Sequence, residues 1–280
     1  MQLSGEARLA GVMGWPIAHS RSPRLHGFWL ERYGIDGAYV PLAVAPEDLE
    51  AAFRLLPRLG YRGFNLTAPH KERALELADR LTPQAERIGA VNTVIRQEDG
   101  SLLGDNTDAY GFIASLRQQV PDWRSEGGTA VVLGAGGAAR AVTVALLDAG
   151  CRDVRLCNRT LGRAEALAAE IGGDVSACPW QSRAEALSGA GLLVNTTSLG
   201  QMGQPPLELA LSALPADAVV NDIVYTPLET ALLAAARARG HRVADGLGML
   251  LHQARPGFEA WFGHAPEVDE ALRRHVLSGL

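Results

Sequence analysis

The chain contains a single lysine. Of its 26 basic residues the other 25 are arginine, and the exception is Lys71. Cysteine is scarce and odd in number: Cys151, Cys157 and Cys178, with no CxxC pair. That argues against a disulfide framework and reads as reduced, mostly packed thiols of a cytoplasmic protein. The seven histidines form no HExxH and no His/Cys cluster, so no metal site is expected. No apolar run reaches the roughly 18 residues of a membrane span. The opening MQLSGEARLAG lacks the basic-then-apolar pattern of a secretion signal. A net charge of -5 argues against a general nucleic-acid binder, whose domain is normally basic. An anionic ligand would have to be met by local donors.

What is present is an ordinary globular mix over 280 residues, 47% hydrophobic and 20% charged, which suits two domains. Strand-like and helix-like stretches alternate, and this predicts an α/β fold with parallel sheets. Short apolar runs at 9–14, 38–44 and 62–66 read as strands, with helices near 23–33 and 47–59. Pro46 followed by Glu47 and Asp48 suits a helix opening, because proline fits the first turn and acids suit the positive helix end. A further helix is expected over 107–119. The polar stretch PDWRSEGG at 121–128 is the best boundary marker.

Beyond it TAVVLGAGGAAR, 129–140, runs an apolar strand through a glycine turn into an alanine-rich helix ending near Gly150. Strands at 153–157, 174–178, 191–195, 218–223 and 241–244, with a helix at 161–171, complete a doubly wound, nucleotide-binding layout. The tail is helical over 247–261 and 267–278.

Gly134-Ala135-Gly136-Gly137-Ala138 approximates G-x-G-x-x-G/A in the strand–turn–helix context that gives the motif meaning. The turn needs a residue without Cβ constraints, and the helix amino end presents N–H groups to a pyrophosphate. The second strand bears on the nucleotide. An NAD site usually places an acid about 20 residues beyond the turn. Here Asn158, Arg159, Thr160 and Arg163 stand in that place, and two guanidiniums suit a 2′-phosphate. NADP is therefore the expected cofactor.

In the first half, polar residues collect in four segments. GWPIAHSRSPRLH carries Ser20 and Ser22, NLTAPHK carries Asn65, Thr67 and Lys71, GAVNT carries Asn92, and GDNTDAYG carries Asp108. Hydroxyls, amides, one ammonium and one carboxylate would hold a compact, polyhydroxylated anion. Singly, each residue has a bland reading: the serines and Asp108 as helix caps, Asn92 as a turn residue.

Taken together and in this order, these motifs resemble the shikimate dehydrogenase family from Gly14 to the region of Gln253. The resemblance implies an N-terminal α/β substrate-binding domain, a Rossmann NADP-binding domain and a C-terminal helix returning to the first. The expected ranges are 1–108 with 247–280, and 109–246. It implies reversible NADPH-dependent reduction of 3-dehydroshikimate to shikimate, within aromatic amino acid (chorismate) biosynthesis, by a cytoplasmic monomer or homodimer. Ser20 and Ser22 would bind the substrate carboxylate. Asn65, Thr67, Asn92, Asp108 and Gln253 would contact ring hydroxyls, and Lys71 and Asp108 would be the catalytic pair. Gly134 to Ala138 and Asn158 to Arg163 would hold NADP. Thr196, Ser198, Ile223, Tyr225 and Gly246 would line the nicotinamide side, with Tyr225 also reaching substrate. The departures are Gly27, where the family often has Asn, and His70, where an aromatic or apolar residue is common.

A lysine suits the position where a carbonyl oxygen gains its proton, and either donating that proton or mainly polarising the oxygen explains a compact cation there. Its ammonium can exchange a proton if burial or neighbours lower its pKa from about 10.4, whereas arginine stays protonated above about 12. Two other readings remain open. One is a quinate/shikimate dehydrogenase using NAD, and the other is a non-catalytic NADP-binding sensor on the same fold.

Overall fold

The computed structural model describes residues 3–278. The outermost residues of the expected domain ranges, 1–2 and 279–280, lie outside the described residues. The chain divides into two compact units, Met1–Thr107 with Leu251–Leu280, and Asp108–Leu250.

The first unit holds β1 (Arg8–Gly14), α1 (Ser22–Arg32), β2 (Gly37–Ala43), α2 (Leu49–Leu55), β3 (Tyr61–Leu66), α3 (Ala74–Leu77), β4 (Arg80–Leu81), α4 (Pro83–Ile88), β5 (Thr93–Arg96) and β6 (Leu102–Asp105). The helix expected over 47–59 is broken into a 3-10 turn at Pro46–Asp48, α2, and a second 3-10 turn at Leu56–Leu59. Pro57, which has no N–H to donate, sits in the first turn of the last piece, and Gly60 ends it at φ 91°.

The six strands run in the order β2-β1-β3-β5-β6-β4. The expectation of parallel sheets fails here, since β3–β5 and β5–β6 are antiparallel. Between β5 and β6 the cause is a tight hairpin. Gln97 N–H donates to Ser101 O at 2.8 Å, Gly100 takes φ +83°, and the Asp99 side chain accepts from Ser101 N–H. Asp-Gly is a strong reversal signal in sequence.

Side chains alternate along β3. Phe64 and Leu66 enter a cluster with Leu49, Phe53, Leu77 and Val94. Gly63 and Asn65 therefore face the other way. Gly63 lies against Trp261, where a Cβ would come within 2.1 Å of the indole nitrogen. The missing side chain lets the indole lie on the strand and donate to Val94 O at 3.0 Å. Trp261 is fully buried. At about 25 cal/mol per Å2, enclosing about 200 Å2 of indole contributes roughly 5 kcal/mol.

The second unit holds α5 (Asp108–Gln119), β7 (Thr129–Leu133), α6 (Gly137–Asp148), β8 (Asp153–Asn158), α7 (Leu161–Ile171), β9 (Val175–Pro179), β10 (Leu192–Asn195), β11 (Val219–Asp222), α8 (Ala231–Ala238) and β12 (Arg242–Ala244). Its strands pair in the order β12-β11-β10-β7-β8-β9, all parallel. This is the doubly wound order, with the first strand central and the chain returning beside it as β10. The switch point therefore lies at the carboxyl ends of β7 and β10, where ligands of such sheets bind. Val131, Leu133, Leu193 and Val220 pack with Leu232 and Leu233 of α8 in one core cluster.

The helix α9 (Gly246–Phe262) begins in the second unit and contributes to the first from Leu251 onward, followed there by α10 (Glu270–Leu277). Among the described residues no helix is long and apolar enough to cross a membrane.

Candidate active site

In the first unit, four of the polar residues singled out in sequence, Ser22, Asn65, Asn92 and Gln253, lie on one connected hydrogen-bond network. Arg21, rather than either serine, occupies the N-cap position of α1, and its side chain makes no cap bond. The Ser20 hydroxyl accepts from Ser22 N–H at 3.3 Å. Ser22 is buried and its side chain hydrogen-bonds to the phenol of Tyr39. Tyr39 in turn donates to Asn65 Oδ1 at 2.6 Å. Asn65 Nδ2 donates to Asn92 O and to Thr93 Oγ1, both at 3.0 Å. Thr93 Oγ1 donates to Asn92 Oδ1 at 2.9 Å, and Thr107 N–H donates to the same oxygen at 2.8 Å. Asn92 Nδ2 reaches Gln253 Oε1 at 3.4 Å. Burial pushes the Tyr39 phenol well above its ordinary pKa, so it is protonated and donates.

Thr67 and Lys71 lie on the loop after β3. Thr67 N–H donates to Met13 O at 2.9 Å, and His70 N–H returns to Thr67 O at 2.9 Å. Gly14 makes room for this loop, because a Cβ there would meet the Thr67 methyl at 2.4 Å. The carbonyl of Lys71 accepts from Val91 N–H at 2.8 Å. His70 is buried, and its Nε2 donates to Val44 O at 2.9 Å. Burial lowers the pKa of its ring, and the bond to Val44 offsets part of that. The departure at His70 thus acts as an anchor beside Lys71. Gly27, the other departure, sits within α1 with nothing near an added Cβ.

In the second unit, Asp108 opens α5, buried in that helix's first turn, where the helix dipole favours a carboxylate. At the switch point Gly134 takes φ +115°, and a Cβ there would lie 2.6 Å from Thr196 Oγ1. Thr196 is held by two bonds to Leu133 O, from its N–H at 2.9 Å and its hydroxyl at 2.6 Å. Glycine therefore keeps open a backbone cradle that any side chain would fill. Gly136 caps α6 in extended conformation with no side chain over the first amides, and Ala135, Gly137 and Ala138 are half-buried around it. This fits a pyrophosphate.

After β8, Asn158 Nδ2 donates to Thr160 O at 2.8 Å. Thr160 is the N-cap of α7, which starts at Leu161. Arg159 therefore lies outside the helix, and it does not share a helical face with Arg163 by periodicity. Both guanidiniums flank the cap, are exposed, and enter no ion pair among the described residues. Ser198 is exposed on the loop after β10, and Tyr225 is half-buried after β11. Gly246 lets α9 start against the Ile223 carbonyl, where a Cβ would stand 2.2 Å from its oxygen.

Sequence reading passed over several residues that build these loops. Tyr39, Thr93 and Thr107 complete the first network. Asn195 and Asp222, register partners at the ends of β10 and β11, tie two loops together. Asn195 Nδ2 donates to Asp222 Oδ1 at 2.9 Å and to Leu199 O at 3.1 Å, while its Oδ1 accepts from Thr197. Asp222 also accepts from Val224 N–H and Thr230 Oγ1. Burial raises its pKa, and these donors hold it back. The signal was a polar residue closing each apolar run, LLVN and VVND.

Comparison with known proteins covers the chain in three parts. Residues 12–94 match the model described as shikimate dehydrogenase substrate binding domain. Residues 115–202 match shikimate / quinate 5-dehydrogenase. Residues 246–274 match the shikimate 5′-dehydrogenase C-terminal domain. The chain is 62% identical over 276 residues to a shikimate dehydrogenase (NADP(+)) of Paramagnetospirillum magneticum, spanning 99% of this chain and 100% of that one. Its fold is similar to a shikimate 5-dehydrogenase of Thermus thermophilus in complex with NADP(H) and shikimate. The TM-score is 0.86 at 40% identity, covering 98% of this chain and 100% of the other. It is also similar to a quinate dehydrogenase of Corynebacterium glutamicum in complex with NAD. Here the TM-score is 0.90 at 32% identity, covering 97% and 99%.

Proposed function

The chain belongs to the shikimate dehydrogenase family, and from that premise we propose how its residues carry out the reversible, NADP-dependent interconversion of 3-dehydroshikimate and shikimate. The chain is an NADP-dependent oxidoreductase of this class. When bound, the reduced cofactor supplies the hydride. The chain's own residues bind, orient and move a proton.

Lys71 supplies the proton to the ketone oxygen and takes it back in the reverse direction. Asp108 is the second catalytic group. Its peptide follows directly from Thr107, which is fastened to Asn92, and this fixes where its backbone starts. Ser20 and Ser22 receive the carboxylate. Asn65, Thr67, Asn92 and Gln253 meet the ring hydroxyls, and Tyr225 adds a contact. The observation that carries this reading is the network itself. Ser22, Asn65, Asn92 and Gln253, singled out in sequence, are linked by hydrogen bonds within one unit. Gly134 to Ala138, with Thr196, Ser198, Ile223 and Gly246, hold the dinucleotide. Asn158, Arg159, Thr160 and Arg163 hold its 2′-phosphate. The first unit is accordingly the substrate-binding domain and the second the NADP domain.

The direct test is absorbance at the reduced-nicotinamide band, with shikimate or quinate crossed against NADP or NAD. Shikimate with NADP is expected to give the highest kcat/KM. Equal or better rates with quinate and NAD would overturn the assignment in favour of a quinate enzyme. Binding of NADP without turnover of either acid would favour a sensor.

A narrower test addresses the serines. Changing Ser20 and Ser22 to Ala is expected to raise KM for shikimate about tenfold or more and leave KM for NADP nearly unchanged. Each hydrogen bond to a charged carboxylate is worth about 1.5–3 kcal/mol. Equal effects on both substrates would show that the serines only shape the start of α1.

A further inference from the structure

Tyr39 lies between two groups to which different parts of the substrate are assigned, and no role has been assigned to it. Its position is tightly determined. The His26 ring stacks on it at 3.8 Å between centroids and 5° between planes, and Trp261 tilts against it at 6.0 Å. His26 is wholly buried, both its ring nitrogens lack a hydrogen-bond partner, and burial pushes its pKa down to about 3. It is a neutral plate that fixes the Tyr39 ring and offers no competing partner to the hydroxyl.

A phenol has one hydrogen to give. Here that hydrogen goes to Asn65 Oδ1, so the bond to Ser22 must use the serine's hydrogen. Asn65 in turn spends both its N–H groups on Asn92 O and Thr93 Oγ1. Ser22 is thus a donor already engaged, and Asn65 Oδ1 an acceptor already engaged. A carboxylate needs the Ser22 hydrogen. When Ser22 turns its hydrogen to the carboxylate, its oxygen becomes an acceptor, and Tyr39 can turn its own hydrogen to Ser22. That vacates the position on Asn65 Oδ1 that the phenol had filled, one of that oxygen's two lone pairs, and a ring hydroxyl can take it. Each bond that breaks is replaced by one that forms, and no proton changes its oxygen.

We infer that Tyr39 is a positioning residue that couples carboxylate binding at Ser22 to hydroxyl binding at Asn65, through a hydrogen-bond chain whose direction reverses when substrate binds. The inference rests on the shikimate reading above. It predicts that Ser22 and one ring hydroxyl are not read independently. Groups sharing one hydrogen-bond network typically couple by several-fold in binding.

The experiment measures the loss caused by Ser22→Ala on three ligands, in the Tyr39 protein and in Tyr39→Phe. The ligands are shikimate and its two deoxy analogues that each lack one of the hydroxyls not oxidised, compared by Michaelis or competitive inhibition constants. Tyr39→Phe keeps the stacked ring and removes only the hydroxyl, and its melting temperature is recorded alongside. With Tyr39 present, Ser22→Ala is expected to weaken shikimate at least threefold more, or less, than one of the deoxy analogues. In the Tyr39→Phe background the three losses are expected to agree within twofold. KM for NADP stays constant throughout. Equal losses on all three ligands in the Tyr39 protein would overturn the coupling. So would a difference that survives Tyr39→Phe, or a parallel rise in KM for NADP with a fallen melting temperature, which would mark a structural role. A wild type that turns over no shikimate would overturn the functional reading, and this inference with it. A wild type that does so without coupling would overturn this inference alone.

Discussion

Lys71→Ala is expected to lower kcat by roughly 10²–10⁴-fold while NADP still binds, because it removes the group proposed to give the ketone oxygen its proton. Lost polarisation of the same oxygen would add to that deficit. Lys71→Arg is expected to be nearly as poor, although it keeps the charge. Two reasons combine. A guanidinium stays protonated above about 12 and does not relay a proton. It is also longer and planar, and the backbone here has little freedom to retreat. The Lys71 carbonyl is held by Val91 N–H, and His70 next to it is tied to Val44. A compact ammonium on this anchored loop cannot be replaced by a fork without misplacing the donors. The measurement is single-turnover and steady-state NADP reduction with shikimate, beside cofactor titration by fluorescence and a melting curve. An arginine variant within about threefold of wild type would refute proton transfer by Lys71 and leave only electrostatic polarisation.

The second large effect concerns the nucleotide. The wild type is expected to prefer NADP to NAD by about a hundredfold or more in kcat/KM, if each of two guanidiniums makes a charge-assisted bond to the 2′-phosphate. Arg159→Asp is expected to erase most of that preference, since its carboxylate repels the phosphate and offers the ribose 2′-hydroxyl an acceptor. The fold itself does not select the nucleotide, because a quinate dehydrogenase of closely similar fold is in complex with NAD. The element proposed to select it is the short loop after β8. There Arg159 and Arg163 are exposed on either side of the Thr160 cap. Convergence of the two rests on loop geometry rather than on a shared helical face, so the pair is separable by mutation. The kcat/KM ratio for the two cofactors, at fixed shikimate, decides between them. Preference that survives Arg159→Asp would move the reading to Arg163. A wild type indifferent to the phosphate would reduce both arginines to solvated charges.

Much of the second unit was legible because its signals are local. The turn at Gly134 follows from residues within one strand, one turn and one helix, and the absence of an acid after β8 could be read a few residues further on. Repeated apolar runs separated by helices then imply parallel strands, since parallel strands need crossovers. The first unit was less open to this reasoning. Asp99-Gly100 announced the hairpin that makes its sheet mixed, yet the strands beside it are short and their partners distant in sequence. The break of the expected helix at Pro57 was also written in the chain, but only the pieces packed against β3 show where each one stops.

By itself the sequence determined most of the elements and the doubly wound layout, because propensity, periodicity and turn chemistry act over a few neighbouring residues, while the full set of candidate site residues rested on the resemblance of its motifs to a family. Tertiary structure alone decided how those residues are joined. Ser22, Tyr39, Asn65, Asn92 and Gln253 come from a helix start, two strands, a loop and a returning helix, and up to 161 residues separate bonded partners. Tyr39 looked like one more strand aromatic until β1 paired with both β2 and β3. That pairing brings its hydroxyl to Asn65, and His26 fixes its ring. A hydrogen bond is short and directional, so its partners are set by strand register and by which face of the sheet a residue takes. Both are properties of the assembled fold.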